Sequence, residues 1–177
     1  MKELEYPFDS SFLLQKRRKL KKALLADGSA RMEKRIAVLG GSTTNDIVSM
    51  LELFLLNCGI QPVFYQSEYA QYWQDAMFDA PELAAFQPDL IFIHTTSRNI
   101  PEAPLPMSAS EQEVQDALER QYTHFTQMWE HLAATYHCPI LQNNFELPAT
   151  RLMGNRDGCD CHGMVWFISE LNRKFGQ

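Results

Sequence analysis

The sequence contains no apolar run that approaches the ~18 residues of a membrane-spanning helix, which argues against a membrane protein. It also has no basic excess, because 16 Lys and Arg residues face 22 Asp and Glu residues and give a formal net charge of −6. We therefore expect no nucleic-acid partner. Only four cysteines occur, and the acidic first residues lack the apolar segment of a secretory signal. These absences predict a cytoplasmic protein with reduced cysteines.

The 177 residues, of which 45% are hydrophobic, are enough for one domain with a sizeable core. Short apolar runs alternate with amphipathic stretches in the order α-β-α-β-α-β-α-β-α. This alternation predicts a parallel, doubly wound sheet of four strands with helices on both faces. The predicted strands are residues 35–39, 61–66, 89–94 and 138–143. The predicted helices are residues 10–26, 45–58, 69–78, 110–136 and 163–174, with a further short helical turn at 81–86. Ser10 or Ser11 is the predicted cap of the first helix, and Ser110 and Glu113 have the spacing of a capping box. Residues 95–110 are predicted to form a long loop.

We divide the chain into an amino-terminal arm with a basic helix, residues 1–30, and an α/β domain, residues 31–177. The basic helix is interpreted as a solvated face, and the alternative is a surface for an acidic partner. Its basic residues are Lys16, Arg17, Arg18, Lys19, Lys21 and Lys22.

The segment IAVLGGSTTND, residues 36–46, joins a buried strand to an amphipathic helix through two glycines. Ser42 is thus predicted at the amino end of the helix, where backbone N–H groups and the helix dipole favour an anion or a developing oxyanion. This position suits a nucleophile. Alternatively, the glycines simply permit a tight turn and Ser42 or Thr44 caps the helix. The candidate ligand-binding residues at this turn are Gly41, Thr43, Thr44 and Asn45.

A serine nucleophile needs a base, and two histidines are candidates. His94 ends the third strand, so right-handed crossovers place it on the same sheet edge as Ser42. His162 lies in a late loop, where Asp157 or Asp160 could orient its ring. The alternative for His94 is a buried histidine that is hydrogen-bonded near the strand end.

Asn99 and Asn143 follow the third and fourth strands, so the topology predicts them on this same edge. Asn99 is a candidate oxyanion donor, and Asn143 is a candidate ligand-binding residue. Alternatively, both asparagines simply bond loop backbones.

The segment DGCDCH, residues 157–162, combines three kinds of metal-ligating side chain. Its C-x-C-H spacing is not a common zinc pattern, and no second cysteine pair completes it. We therefore predict a polar loop, with no metal site and no cofactor.

Four segments in order resemble the amino-terminal region of FkbH-like proteins: RIAVLGGSTTNDI, PVFYQSEYAQYWQDAMF, PDLIFIHTTSRNIP and PILQNNFELPATRLMGN. The resemblance extends from about Pro7 to Phe175. It implies an SGNH-type (GDSL-like) hydrolase domain with a flavodoxin-like three-layer α/β/α fold. In that family a haloacid-dehalogenase-type phosphatase domain, with an aspartate nucleophile and magnesium, typically follows. Some members load a glyceryl unit onto an acyl carrier protein.

The chain departs from the family pattern at several points. Ser42 matches the SGNH serine, although the usual G-D-S is G-G-S here. After the third strand, the family's G-x-N-D block is HTTSRN in this chain. Asn99 is the counterpart of the family's asparagine, but at a shifted position. The family's late Asp-x-x-His pair is absent. Asp157 and His162 could replace it, but four residues separate them, whereas two separate the family pair. The final strand and the phosphatase motif are also missing, so we expect a truncated chain whose fourth strand is exposed to partners or dimerisation.

Two functions remain. In the first, an SGNH-hydrolase-like domain acts on or binds an acyl ester or thioester, with Ser42 as nucleophile, in loading a glyceryl unit onto an acyl carrier protein. In the second, a non-catalytic module binds a small acyl or phosphorylated ligand, or docks a carrier protein, and accompanies a phosphatase domain. A complete catalytic base would favour the first, and the sequence does not contain a convincing one.

Overall fold

The computed structural model describes residues 1–78, 80–102 and 105–177 and has the predicted three-layer α/β/α architecture. No helix in these ranges is long and apolar enough to cross a membrane. The strands are β1 (Met32–Gly40), β2 (Ile60–Gln66), β3 (Leu90–His94) and β4 (Ile140–Gln142). The helices are α1 (Ser10–Ala26), α2 (Asn45–Asn57), α3 (Tyr72–Met77), α4 (Pro81–Phe86), α5 (Glu111–Tyr136) and α6 (Met164–Phe175). Short 3-10 helices cover Lys2–Leu4, Ser97–Asn99 and Gly154–Gly158.

The four strands form one parallel sheet in the order β2-β1-β3-β4. Flavodoxin-like sheets have the strand order 2-1-3-4-5, and the four strands here match its first four positions. Alternate residues of β1 enter different cores, because successive side chains of a strand point to opposite faces. Ile36 and Val38 pack with Val48 of α2, whereas Ala37 and Leu39 join the larger core under α3 to α6. The carboxyl ends of β1, β3 and β4 therefore lie along one edge, as predicted.

The basic helix α1 forms the outer part of its layer. Its buried leucines pack against α2, and the hydrophobic cluster that joins the two helices does not include sheet residues. The opposite helix layer is larger and holds buried aromatic side chains such as Phe125 and Phe167. The leucines shared between α1 and α2 are Leu13, Leu20, Leu24, Leu53 and Leu56.

Side-chain oxygens satisfy the first N–H groups of three of the long helices. Asp9, one residue before the predicted cap, accepts a hydrogen bond from the first turn of α1. Ser110 and Glu113 form the predicted capping box of α5. The buried carboxylate of Asp157 accepts from the N–H of Val165 in α6 at 2.9 Å.

The structure corrects three of the predicted boundaries. Residues 67–88 contain the two predicted helical segments, α3 and α4, but α3 begins at Tyr72 and not at Tyr69, because Ala70 has a positive φ of 59°. β1 begins at Met32, three residues before the predicted start at Arg35, because this exposed end still pairs with β2. The predicted loop 95–110 contains the 3-10 helix Ser97–Asn99, and its residues 103 and 104 lie outside the described ranges.

Candidate functional site

The turn between β1 and α2 has no room for side chains at its two glycines. A Cβ on Gly40 would lie 2.6 Å from Cγ2 of Thr44, and a Cβ on Gly41 would lie 2.5 Å from Oδ1 of Asn99. Cβ atoms in proteins essentially never come this close to a non-bonded atom. A larger residue at either position would therefore force the turn to shift. The N–H of Gly41 also donates to the carbonyl of His94 at 2.8 Å. The glycine pair is therefore explained by close packing at the end of β1 and β3.

Asn99 holds this turn in place. Its Nδ2 donates to the carbonyl of Gly41 at 3.1 Å, and its Oδ1 accepts from the N–H of Thr96 at 2.9 Å. Sequence analysis left two roles open for Asn99, oxyanion donor or ligand of the loop backbone. The observed hydrogen bonds are of the second kind, so the Asn99 side chain positions the Gly41 backbone.

Asn143 joins the ends of β3 and β4. Its Oδ1 accepts from the N–H of Thr95 at 3.0 Å, while its Nδ2 donates to the carbonyls of Thr95 and Asn144, both at 2.8 Å. Gln142 adds a hydrogen bond to Oγ1 of the fully buried Thr95 at 2.7 Å. The side chain of Asn143 is thus occupied with loop backbone, and it fixes the spacing of the sheet edge.

The amino end of α2 differs from those of α1, α5 and α6, because no side chain among the described residues caps it. Thr44 is the N-cap residue, and Val48 makes the first helical hydrogen bond, to the Thr44 carbonyl. Within the described ranges, the N–H groups of residues 45–47 donate no hydrogen bond. The acidic side chain of the first turn, Asp46, pairs with Arg17 of α1. The helix therefore presents unsatisfied N–H donors and its positive dipole end at the sheet edge.

The predicted turn residues differ in exposure. Ser42 is half-buried, and its Oγ makes no hydrogen bond within the part of the chain that the structure describes. Thr43 and Asn45 are exposed, whereas Thr44 is buried. Ser42, Thr43 and Asn45 are therefore accessible to a ligand at the amino end of α2.

His94 ends β3 on the same edge. Its Nδ1 is buried and, in the described ranges, has no hydrogen-bond partner. Burial lowers the pKa of His94 below its usual range, and the nearby Glu146 carboxylate opposes this effect. His94 is thus a neutral imidazole near pH 7, the form that a general base requires. No hydrogen bond joins it to Ser42.

Sequence analysis missed Glu146, which follows β4 in the segment NNFE. Its carboxylate accepts from the N–H of Ser97 at 3.1 Å and from Ser97 Oγ at 2.8 Å. Burial opposes ionisation, but the hydrogen bonds from Ser97 hold the pKa of Glu146 below its ordinary value. Glu146 lies three residues after the end of the fourth predicted strand, and this position could have indicated that it belongs to the same sheet edge.

His162 belongs to a different network. Its Nδ1 is 2.9 Å from Oδ1 of Asp160, and its Nε2 is 2.9 Å from the carbonyl oxygen of Ala109. The Ala109 carbonyl and then the Asp160 carboxylate raise the pKa of His162. Both ring nitrogens are therefore engaged away from Ser42, while Asp157, the other residue expected to orient His162, binds the start of α6 instead.

No family model and no curated protein matches this sequence. Among solved structures, the chain is similar to the N-terminal part of the protein BF1531 from Bacteroides fragilis, a crystal structure that contains a phosphatase domain complexed with Mg. The similarity has a TM-score of 0.68 with 14% sequence identity, and it covers 90% of this chain and 41% of that chain. This chain therefore spans less than half the length of its neighbour, and at this identity the likeness shows a shared fold.

Proposed function

We propose that this chain is an SGNH-hydrolase-like ligand-binding module that binds a small acyl or phosphorylated ligand at the amino end of α2. The observation that carries the proposal is the set of free N–H donors at residues 45–47, beside the half-buried Ser42. Uncapped helix starts bind phosphate and carboxylate groups through these donors and the helix dipole. Their position outside the carboxyl ends of parallel strands is also where open α/β sheets bind ligands.

The hydrogen bonds around the turn favour binding over catalysis. Ser42 lacks a bonded histidine, His162 is engaged elsewhere, and Asn99 bonds the Gly41 carbonyl. A nucleophilic serine needs a base within hydrogen-bond reach, although such bonds can tighten when substrate binds.

The resemblance to FkbH-like proteins and the phosphatase domain of the structural neighbour supply the biological setting. We propose that the module accompanies a phosphatase domain and presents an acyl or phosphorylated group to it. An acyl carrier protein is the proposed macromolecular partner, because such a partner is acidic and α1 carries exposed basic side chains. Arg17 and Lys21 already pair with Asp46 and Glu52 of α2. The basic side chains left exposed are Lys16, Arg18, Lys19 and Lys22.

The binding site is tested by titrating the ¹⁵N-labelled chain with inorganic phosphate and with 4′-phosphopantetheine. We expect the largest amide shifts at residues 42–47. Ser42→Asp places a negative charge at the same donors and should weaken binding about tenfold or more. Thr123→Asp adds the same charge at an exposed position of α5 and should leave binding unchanged. Shifts elsewhere, or equal binding by both variants, would contradict the proposed site.

A serine esterase or acyltransferase is the second candidate, favoured by the unbonded Ser42 Oγ and the neutral His94 on the same edge. Labelling with a fluorophosphonate probe distinguishes the two functions. Labelling of the wild type that is lost in Ser42→Ala would establish a reactive serine. An unlabelled, folded wild type that still binds phosphopantetheine would establish the binding module.

A further inference from the structure

The segment after the 3-10 helix Gly154–Gly158 brings together three different metal-ligating side chains. Asp160, Cys161 and His162 are consecutive, and one ligand atom from each lies within 4.8 Å of the others. Nδ1 of His162 is 3.5 Å from Sγ of Cys161 and 2.9 Å from Oδ1 of Asp160. The Asp160 and His162 side chains are only 15% and 11% exposed, so protein atoms cover most of each side chain.

The hydrogen bonds of His162 favour a positive charge at its Nδ1. The carbonyl of Ala109, 2.9 Å from Nε2, can only accept, so Nε2 carries a hydrogen. In a neutral imidazole, Nδ1 would then point its lone pair at the Asp160 carboxylate, which is also an acceptor. A cation bound at Nδ1, either a second proton or a metal ion, makes this arrangement favourable.

The distances suit a metal ion. Tetrahedral zinc with ordinary bond lengths places its nitrogen and oxygen ligands about 3.3 Å apart and its nitrogen and sulfur ligands about 3.6 Å apart. The observed separations of 2.9 Å and 3.5 Å differ from these by a few tenths of an ångström. The bond from Nε2 to the Ala109 carbonyl is the kind that metal-ligating histidines make with their other ring nitrogen.

The surrounding backbone holds the three ligands on a tightly folded loop. A Cβ on Gly163 would lie 2.0 Å from the carbonyl oxygen of Asp157, so position 163 has no room for a side chain. The N–H of Gly163 donates to the Asp160 carbonyl at 2.8 Å, which closes the loop immediately before α6. The ligands therefore lie on a constrained turn.

We infer that Asp160, Cys161 and His162 bind one zinc-like divalent transition-metal ion in the loop before α6. Oδ2 of Asp160 pairs with Arg156 at 2.7 Å, so Oδ1 is the carboxylate oxygen that binds the metal. The Cys161 thiolate supplies the second negative charge, and the thiol proton leaves to water on binding. Thiolate and imidazole ligands favour zinc over magnesium or calcium. The three side chains line an open depression of about 430 Å³ together with Cys159 and Glu111. Water or the exposed Cys159 completes the coordination.

The site is tested on the full chain, kept reduced with a phosphine, by titration with Co²⁺ and competition with Zn²⁺. We expect one Co²⁺ per chain, with a thiolate-to-cobalt charge-transfer band that Zn²⁺ abolishes. Cys161→Ser and His162→Gln should each weaken Zn²⁺ binding at least about tenfold. Cys58→Ser, at an exposed cysteine after α2, is the matched control and should bind Zn²⁺ like the wild type.

Three results would overturn the inference. The first is a wild-type chain that shows no thiolate-to-cobalt band, a result that does not depend on whether any variant folds. The second is wild-type ¹⁵N chemical shifts that show a doubly protonated His162 ring in excess Zn²⁺, because a proton would then occupy the place of the metal. The third is retention of full Zn²⁺ affinity by Cys161→Ser, because the Cys161 thiolate would then not be a ligand.

Discussion

The side chain of Asn99 and the backbone of Gly41 occupy adjoining space, so their substitutions should be strongly coupled. Asn99→Ala removes the 3.1 Å bond to the Gly41 carbonyl and the acceptor that lies 2.9 Å from the Thr96 N–H. At about 1 kcal/mol for each bond, we expect the free energy of unfolding to fall by about 2 kcal/mol. Gly41→Ala must displace Asn99, because its Cβ would lie 2.5 Å from Oδ1. It should lose the same bonds and add strain, for a total of about 3 kcal/mol.

The double variant Gly41→Ala, Asn99→Ala removes the group that causes the clash, so it should cost about 2 kcal/mol instead of the additive ~5 kcal/mol. Urea unfolding followed by circular dichroism measures all four members of the cycle. Gly40→Ala is the matched control, since its Cβ would meet Thr44 and the carbonyl oxygen of Ser42. Asn99→Ala should not relieve that clash. Additive costs for the Gly41 and Asn99 substitutions would refute the reasoning.

Two further predictions concern the buried Asp157 and the half-buried His94. Asp157→Ala should lower the free energy of unfolding by about 3 kcal/mol, because this 1% exposed carboxylate accepts from the N–H groups of Val165 and Met153. A loss below about 1 kcal/mol in urea unfolding would contradict it. Burial lowers the pKa of His94 from 6.5, so the unfolded chain takes up this proton at a higher pH than the folded chain. The contribution of neutral His94 to the free energy of unfolding is complete above pH 6.5 and is lost as the pH falls. The free energy of unfolding of the wild type, relative to that of His94→Gln, should therefore decrease from about pH 7 to about pH 5. A difference that does not vary with pH would exclude this linkage.

Local signals predicted the architecture well. Ile36 to Leu39 form an apolar run because both faces of β1 are covered, which is typical of a central parallel strand. The spacing of Ser110 and Glu113 likewise predicted the start of α5, because both partners of a capping box lie within one helical turn. The start of β1 could not be predicted, since Met32 is 63% exposed and is held there by pairing with distant β2.

The sheet edge on which the candidate site residues lie was predicted, but their hydrogen bonds were not. Topology alone places Ser42, His94 and Asn143 on one edge, because the ends of adjacent parallel strands meet there. The bond between Asn99 and Gly41 joins residues 58 positions apart, and the bond between His162 and Ala109 joins residues 53 positions apart. Such pairings depend on the packed loops and leave no periodic signal in the sequence.

The central position of β1 also has a consequence for the order in which the chain can fold during synthesis. β1, α2 and β2 are consecutive in the chain and form a parallel βαβ unit, while α1 packs on α2. Residues 10–66 can therefore assemble a two-stranded half as they leave the ribosome, with the opposite face of β1 still uncovered. β3 must then add to the free side of β1, and α5 can cover that face only after more than half of the protein has been made.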